Sequence, residues 1–234
     1  MVIPVRNGVP LLEKTVERVL GFLESEISGE LIIVSDGCSD DPSSVLSPLM
    51  KRDQRLRFES LDRHRGKGAA VRRGVLSARG DRIAYLDLDL SAPPEMLLLL
   101  LAALDEGADL ACGSRHVVGS RIAVSQGALR VWMGSLFRRL VRLIADLPVR
   151  DTQCGCKAFQ REKFLPIFDQ LQEEGFAFDI EILLEARRQG FVIAEVPIVW
   201  SDAKKSTVRP IRDGIQMFRA LIRRVRHDRT ARNR

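Results

Sequence analysis

Through its first 114 residues the sequence alternates short apolar runs with stretches of helical periodicity, and that alternation restricts the fold more than any other feature. The runs fall at residues 2–5, 31–34, 56–61, 83–86 and 110–113. Short continuous apolar runs suit strands buried on both faces of a sheet. The segments between them place apolar residues at helical spacing, as with Leu12, Val16, Val19 and Leu20. Helices are expected over 11–22, 43–51 and 96–104, with another opened by Arg63-His64-Arg65-Gly66-Lys67-Gly68 and running to about Ala78. Strand and helix alternating four times predicts a doubly wound α/β fold with a mostly parallel sheet flanked by helices.

After Ser114-Arg115 the pattern changes. Residues 129–147 read as a basic amphipathic helix, with Val131, Leu136, Leu140 and Leu143 on one side and Arg138, Arg139 and Arg142 on others. Asp151 opens a turn into a short strand, 180–189 reads as a helix, and 192–196 reads as a strand stopped by Pro197. A helix over 211–225 closes the fold and residues 227–234 form a basic tail, so the C-terminal part is helical and basic.

Charge is unevenly placed. Residues 204–234 hold eleven Lys/Arg against Asp213 and Asp228, a net of +9 within a chain total of +6. Residues 115–150 add seven arginines against Asp146 alone. Such asymmetry points to an anionic partner. Tyr, Trp and Phe are too few for a base-stacking module, and no nucleic-acid motif accompanies the basic tail, so nucleic acid is excluded as the partner. The four cysteines form no Cys-x-x-Cys pair, and Cys154-Gly-Cys156 is too sparse for a zinc site. With the first strand starting at residue 2 and nothing resembling a secretory signal, a reduced, cytoplasmic compartment is expected. The longest apolar run, 96–104, cannot span a bilayer, so membrane contact is expected to be peripheral.

Ligands of open α/β sheets bind beyond the carboxyl ends of the strands. That edge carries Arg6, Asn7, Asp36, Lys67, Asp87 and Asp89. Two carboxylates two residues apart at a strand end suit Mg²⁺ or Mn²⁺, completed by substrate phosphates. Alone, the pair also fits two solvated acids in a turn before Pro93-Pro94. Neither the dinucleotide fingerprint nor a Walker loop is present, which excludes a dehydrogenase or a P-loop enzyme. The inventory fits a nucleoside diphosphate instead: Asp36 for a base or ribose hydroxyl, Lys67 for phosphate charge, the aspartates for a bridging metal.

Eight motifs in order then resemble a family. Val-Ile-Pro-Val-Arg-Asn (2–7), Ile-Val-Ser-Asp-Gly-Cys-Ser-Asp (33–40), Arg-Gly-Lys-Gly-Ala-Ala-Val (65–71) and Leu-Asp-Leu-Asp-Leu-Ser-Ala-Pro-Pro-Glu (86–95) look like those of inverting family 2 glycosyltransferases with the GT-A fold. Gly-Ser-Arg (113–115), Asp-Thr-Gln-Cys-Gly-Cys-Lys-Ala-Phe (151–159), with Phe-Asp-Ile-Glu (178–181) and Val-Pro-Ile-Val-Trp (196–200), are similar to the polyprenyl-phosphate branch, the dolichyl-phosphate β-glucosyltransferases and mannose synthases. The resemblance runs over about residues 2–226. It implies one domain over 1–226, with a nucleotide-sugar half (1–114) and an acceptor half (115–226), followed by the tail 227–234.

By position, the resemblance implies that Pro4, Asn7 and Asp36 line the nucleoside pocket with Lys67 near it. Asp87 and Asp89 would hold Mg²⁺ or Mn²⁺ and the donor diphosphate. Arg115, Arg130 and the turn from Asp151 through Gln153 would face the acceptor phosphate, and Ser206 would sit in a loop closing over the donor. Gly8, Ser35 and Lys205 depart from the family pattern. The implied activity transfers a hexose from UDP-glucose or GDP-mannose to a polyprenyl phosphate at the cytoplasmic face of an anionic membrane. Asp151 or Glu181 would be the base if the acceptor were a hydroxyl; with a phosphate acceptor no base is needed, and Asp151 is expected to orient cations such as Arg115 and Arg130. The alternatives are a soluble enzyme with a hydroxyl acceptor and a non-catalytic nucleotide-sugar binder.

Overall fold

The computed structural model describes residues 1–124 and 147–201. The expected helices over 129–147 and 211–225, the tail, Arg130, Lys205 and Ser206 lie outside them.

The strands and helices of the first half follow the apolar runs closely. They are β1 (Val2–Val5), α1 (Val9–Ser25), β2 (Leu31–Asp36), α2 (Pro42–Arg52), β3 (Leu56–Leu61), α3 (Lys67–Ser77), β4 (Arg82–Leu86), α4 (Met96–Asp105) and β5 (Leu110–Ser114). Then come β6 (Arg121–Val124), β7 (Cys156–Gln160), α5 (Arg161–Asp169), α6 (Phe178–Arg188), β8 (Ile193–Pro197) and β9 (Val199–Ser201). One seven-stranded sheet has the order β3-β2-β1-β4-β7-β5-β8, and β6 and β9 pair separately. All pairings in the large sheet are parallel except those of β7, which runs antiparallel between β4 and β5. The mostly parallel sheet flanked by helices is therefore as expected.

Successive strand residues face opposite layers, so each strand supplies both cores. Val2, Ile32, Ile83 and Tyr85 pack on the side of α3, α5 and α6 with Phe159, Phe164, Phe168 and Phe178. Ile3, Ile33, Ala84 and Leu86 pack on the side of α1, α2 and α4. Burial on both faces is why these strands read as unbroken apolar runs.

Several details differ from expectation for local physical reasons. β2 continues through Ser35 and Asp36, which stay in register with Ser60 and Leu61 of β3. β4 stops at Leu86, and the Leu90 N–H donates to the Asp87 carbonyl at 3.0 Å with Leu90 at φ 47°. Asp87 and Asp89 thus stand in a turn and not along an extended strand. Pro197 does not end its strand but pairs with Ser114 as the last residue of β8. Helix α5 contains Pro166 and escapes a reading by periodicity, although Phe164, Ile167 and Phe168 lie buried on one side of it. Helix α6 starts two residues earlier than expected, which brings Asp179 into its first turn beside Glu181. β1 pairs with β4 only at Val2↔Tyr85, and Pro4 offers no N–H to a ladder.

The α3–α5–α6 core encloses a charged pair. Lys157 of β7 and Asp179 are almost completely buried, with Nζ 2.6 Å from Oδ1, and Lys157 also donates to the Cys154 carbonyl at 2.7 Å. The Tyr85 hydroxyl donates to the same Asp179 oxygen at 2.5 Å. Burial opposes the Lys157 ammonium, but the Asp179 carboxylate outweighs it and holds the lysine above its ordinary range. Breaking such a pair strands a buried charge, whereas replacing both partners does not. Lys157→Met should therefore lower unfolding stability by about 3–5 kcal/mol. Adding Asp179→Leu should recover much of the loss in urea denaturation.

Candidate active site

One side of the site begins with Asp36, whose carboxylate is buried at the end of β2. Its Oδ1 accepts from the N–H of Arg65 at 2.7 Å and of Gly66 at 3.1 Å. Its Oδ2 accepts from Gly66 N–H at 3.0 Å and lies 2.7 Å from His64 Nδ1. These bonds hold the loop that delivers Lys67 as the first residue of α3. Gly66 adopts φ 126°, and a Cβ there would overlap the Glu174 carbonyl, so glycine is required twice over. Glu181 supports the same place from behind: buried, it accepts from the N–H of Gln172 and, at 2.8 Å, of Glu173. The adjoining Glu174 carbonyl accepts from Ala69 N–H at 3.1 Å. Asn7, exposed and at φ 47°, accepts from Ser39 N–H at 3.0 Å, while Arg6 donates to the carbonyls of Asp36 and Gly37. Pro4 is half-buried in β1. Asp36, Asn7 and Glu181 thus scaffold loops, with their oxygens on protein N–H groups.

Lys67 reaches Asp87, with Nζ 2.5 Å from Oδ1, and lies 5.9 Å from the centroid of the Phe178 ring. Burial pushes its ammonium down, yet Asp87 and Asp179 push it up by more, so it stands above the ordinary lysine value. Asp87 is half-exposed and Asp89 exposed, with Asp89 Oδ1 accepting from Ser91 N–H at 2.9 Å. Gly155 touches Asp87 from the far side, and a Cβ on it would overlap the carboxylate.

Both aspartates offer hard oxygens near the surface, which fits Mg²⁺ or Mn²⁺ by donor type. Among the described residues no three His, Cys, Asp or Glu side chains gather to hold an ion. Two carboxylates with the remaining positions left to diphosphate and water match a cation that arrives with its substrate.

The other side of the site is built on Arg115, just past β5. Its Nε lies 2.6 Å from Asp151 Oδ2 and its Nη2 2.8 Å from Oδ1, and its own N–H adds a bond of 3.1 Å. The guanidinium lies over Trp200 of β9, 5.2 Å from the ring centroid. Glu195 of β8 accepts from the N–H of both Arg150 and Asp151 at 2.8 Å, fixing the start of the turn. Gln153 is half-buried in that turn. The described structure thus brings Asp87, Lys67, Gly155, Asp151 and Arg115 together around one sheet edge. Burial pushes Cys112 and Cys154 up to about 12 and holds Cys156 well above the ordinary thiol value, so these thiols are neutral packing groups.

Sequence reasoning missed Lys157, Asp179, Gly155 and Trp200 as parts of the site. A signal existed for Lys157: a lysine flanked by Cys156, Ala158 and Phe159 in a strand demands a buried partner. Nothing local marks Gly155 or Trp200.

Burial raises the Asp151 carboxyl, but the Arg115 guanidinium lowers it by more, so it stands below the usual carboxylate value. The pair's stabilisation is then complete above about pH 4 and is lost as pH falls through the depressed folded value. Asp151→Asn should cost about 3–5 kcal/mol at pH 7, because Arg115 is left partly buried and unpaired. Urea titrations should show the gap to wild type closing below about pH 4. A gap that stays constant down to pH 3 would contradict the ion pair.

Comparison with known proteins identifies the family and the fold. Residues 1–168 match the family described as Glycosyl transferase family 2. Over 95% of its length the chain is 33% identical to the glycosyltransferase AglD of Haloferax volcanii, of which it spans 36%. It is 30% identical to a dolichyl-phosphate beta-glucosyltransferase of Dictyostelium discoideum and 32% to one of Drosophila melanogaster, spanning 72% of each. Among solved structures, it resembles glucosyl-3-phosphoglycerate synthase of Mycobacterium tuberculosis, crystallised with Mn²⁺, UDP-glucose and glycerol 3-phosphate (TM-score 0.72, 19% identity, 96% of this chain and 78% of that one). It also resembles mannosyl-3-phosphoglycerate synthase of Rubrobacter xylanophilus (TM-score 0.73, 17% identity, 97% and 73%). These two likenesses establish the fold. The chain belongs to glycosyl transferase family 2 and is a glycosyltransferase of the GT-A fold.

Proposed function

We propose that the chain transfers a hexose from a nucleotide-sugar, UDP-glucose or GDP-mannose, to a polyprenyl phosphate with inversion at the anomeric carbon. The observation that carries this reading is the state of Asp151. Both its oxygens lie on Arg115 and its carboxyl is held below the usual range, which makes it a weak base. An acceptor hydroxyl needs a base; a phosphate, with a second pKa of about 6, is already largely ionised at neutral pH. The dolichyl-phosphate relatives support the same acceptor class.

In this reading the acceptor phosphate approaches Arg115, whose guanidinium is held flat between Asp151 and Trp200. Nη1 remains directed away from the Asp151 bonds, and an arginine held this way loses little further freedom on binding an anion. Arg130 and Gln153 would assist. Pro4, Asn7 and Asp36 would shape the nucleoside pocket, and Ser206 would belong to the covering loop. Asp87 and Asp89 would hold the cation; when bound, Mg²⁺ or Mn²⁺ supplies Lewis-acid stabilisation of the leaving diphosphate. The acceptor oxygen attacks the anomeric carbon, the bond to the diphosphate breaks, and its electron pair leaves with the nucleotide. Asp89→Asn should abolish most turnover while changing stability by no more than about 0.5 kcal/mol, as expected of an exposed residue. Excess EDTA should stop the wild type, and full turnover in EDTA would refute the cation role.

A polyprenyl phosphate lies in a membrane, and no helix among the described residues is long and apolar enough to cross one. Peripheral attachment at the cytoplasmic face, through the basic residues of 204–234, is part of this proposal. Each basic side chain near an anionic surface contributes about 1 kcal/mol. With polyprenyl phosphate in anionic vesicles, labelled sugar should pass into the lipid phase, more slowly as salt rises. Transfer to polyprenol as fast as to its phosphate, or only to water-soluble hydroxyl acceptors, would overturn the acceptor assignment.

A further inference from the structure

We infer that Lys67 is an exchangeable counter-ion of Asp87, and that it makes the divalent cation and the nucleotide-sugar bind together rather than singly. The inference rests on the proposed reading of Asp87 and Asp89 as the cation site and gives that site a rule of assembly.

Lys67 Nζ lies 2.5 Å from Asp87 Oδ1, on a side chain only 13% exposed. Gly155 packs against the Oδ2 side of the Asp87 carboxylate and blocks its movement away from Lys67 in that direction. A metal on Asp87 must therefore share the carboxylate with an ammonium or displace it. Asp87, Asp89 and Asp179 set against Lys67 and Lys157 leave the cluster with one net negative charge. The neighbouring Arg115–Asp151 pair is neutral and changes nothing. A divalent cation alone would turn that balance to one net positive charge in a half-buried place, where charges interact more strongly than in water. The diphosphate of a nucleotide-sugar carries roughly one negative charge per phosphate. Its arrival with the metal restores the original balance.

Lys67 also has somewhere to go. Asp179 already acts on it electrostatically, and the Phe178 ring lies 5.9 Å from Nζ. Released from Asp87, the ammonium faces Asp179 on the protein side and a diphosphate on the other. The affinity each ligand gains from the other is equal by linkage. Asp36 holds the N–H groups of Arg65 and Gly66, so the exchange is a movement of the Lys67 side chain and not of its backbone.

Mn²⁺ binding, read from the electron paramagnetic resonance of the free ion, tests this without turnover. Wild type should bind Mn²⁺ weakly alone and at least about tenfold more tightly with saturating UDP-glucose or GDP-mannose. Lys67→Met should bind Mn²⁺ alone about tenfold more tightly than wild type and lose most of the gain from nucleotide-sugar. Lys67→Gln provides a second neutral variant should the first not fold, and Lys67→Arg should behave like wild type. A neutral variant that binds Mn²⁺ alone no better than wild type, or keeps the full gain, overturns the role of Lys67. If Asp89→Asn binds Mn²⁺ as wild type does, the cation site itself is wrong and the inference falls with it; that outcome is separate from the lysine arms.

Discussion

The structure depends on one reversal of chain direction. β7 enters the sheet antiparallel between β4 and β5, in register Tyr85↔Lys157 and Cys112↔Lys157. A strand running that way must begin at the sheet edge where its two neighbours end. The turn before β7 is therefore set between Asp87, just past β4, and Arg115, just past β5. This is why the chain can bring Gly155 against Asp87 and Asp151 against Arg115 within a few residues. A parallel strand at that position would carry its entry turn to the opposite edge and leave the two sites unconnected.

Register matters as much as direction, and Lys157 secures it. Shifting β7 by one residue would move every side chain to the opposite face. Lys157 would then enter the α1–α2–α4 core, which holds apolar partners and no counterpart to Asp179. The cost of an unpaired buried ammonium makes that slip prohibitive. The same pair connects levels of structure: Asp179 stands in the first turn of α6, Lys157 in the sheet, and the Cys154 carbonyl in the acceptor turn. A buried ion pair adds little net stability over well-packed apolar residues. Here it selects one arrangement among several that would bury equal apolar area.

How far the sequence revealed this follows from the range of the interactions. β1, β2, β4 and β5 were legible because each is buried on both faces and so reads as a mostly apolar run, whereas β3, buried only at Leu56, alternates apolar and polar residues. The donor-side motifs were legible because residues two apart, as Asp87 and Asp89, reveal their proximity locally. Asp36 was legible as the acid that ends β2, but not as the holder of the next loop: its partners, Arg65 and Gly66, lie some thirty residues on. The place of β7 was hidden for the same reason. Nothing in residues 156–160 states that they insert between strands contributed by residues 82–86 and 110–114. Trp200 was legible as part of a motif only, since its partner Arg115 lies far earlier in the chain. Helix α5 was obscured by Pro166, which argues locally against what Phe164, Ile167 and Phe168 bury.

Taken together, the contacts around the site close on themselves. Asp89 accepts from Ser91, the Ser91 carbonyl accepts from Ser201 at 2.8 Å, and Trp200 beside it underlies Arg115. Arg115 holds Asp151, whose turn leads to Gly155 and back to Asp87. Apart from the Arg115–Asp151 ion pair, no link of this circuit is strong alone: the neutral hydrogen bonds contribute about 1 kcal/mol each and the cation–π contact about as much. Their closure is what counts, because a carboxylate or guanidinium in a closed circuit cannot relax in one direction without straining its neighbours on both sides. The donor cation and the acceptor anion must meet with the anomeric carbon between them, and small errors in such placement cost rate steeply. In the proposed reading, a ring of modest contacts tying both charged ends to one short turn meets that requirement while leaving Asp89 exposed.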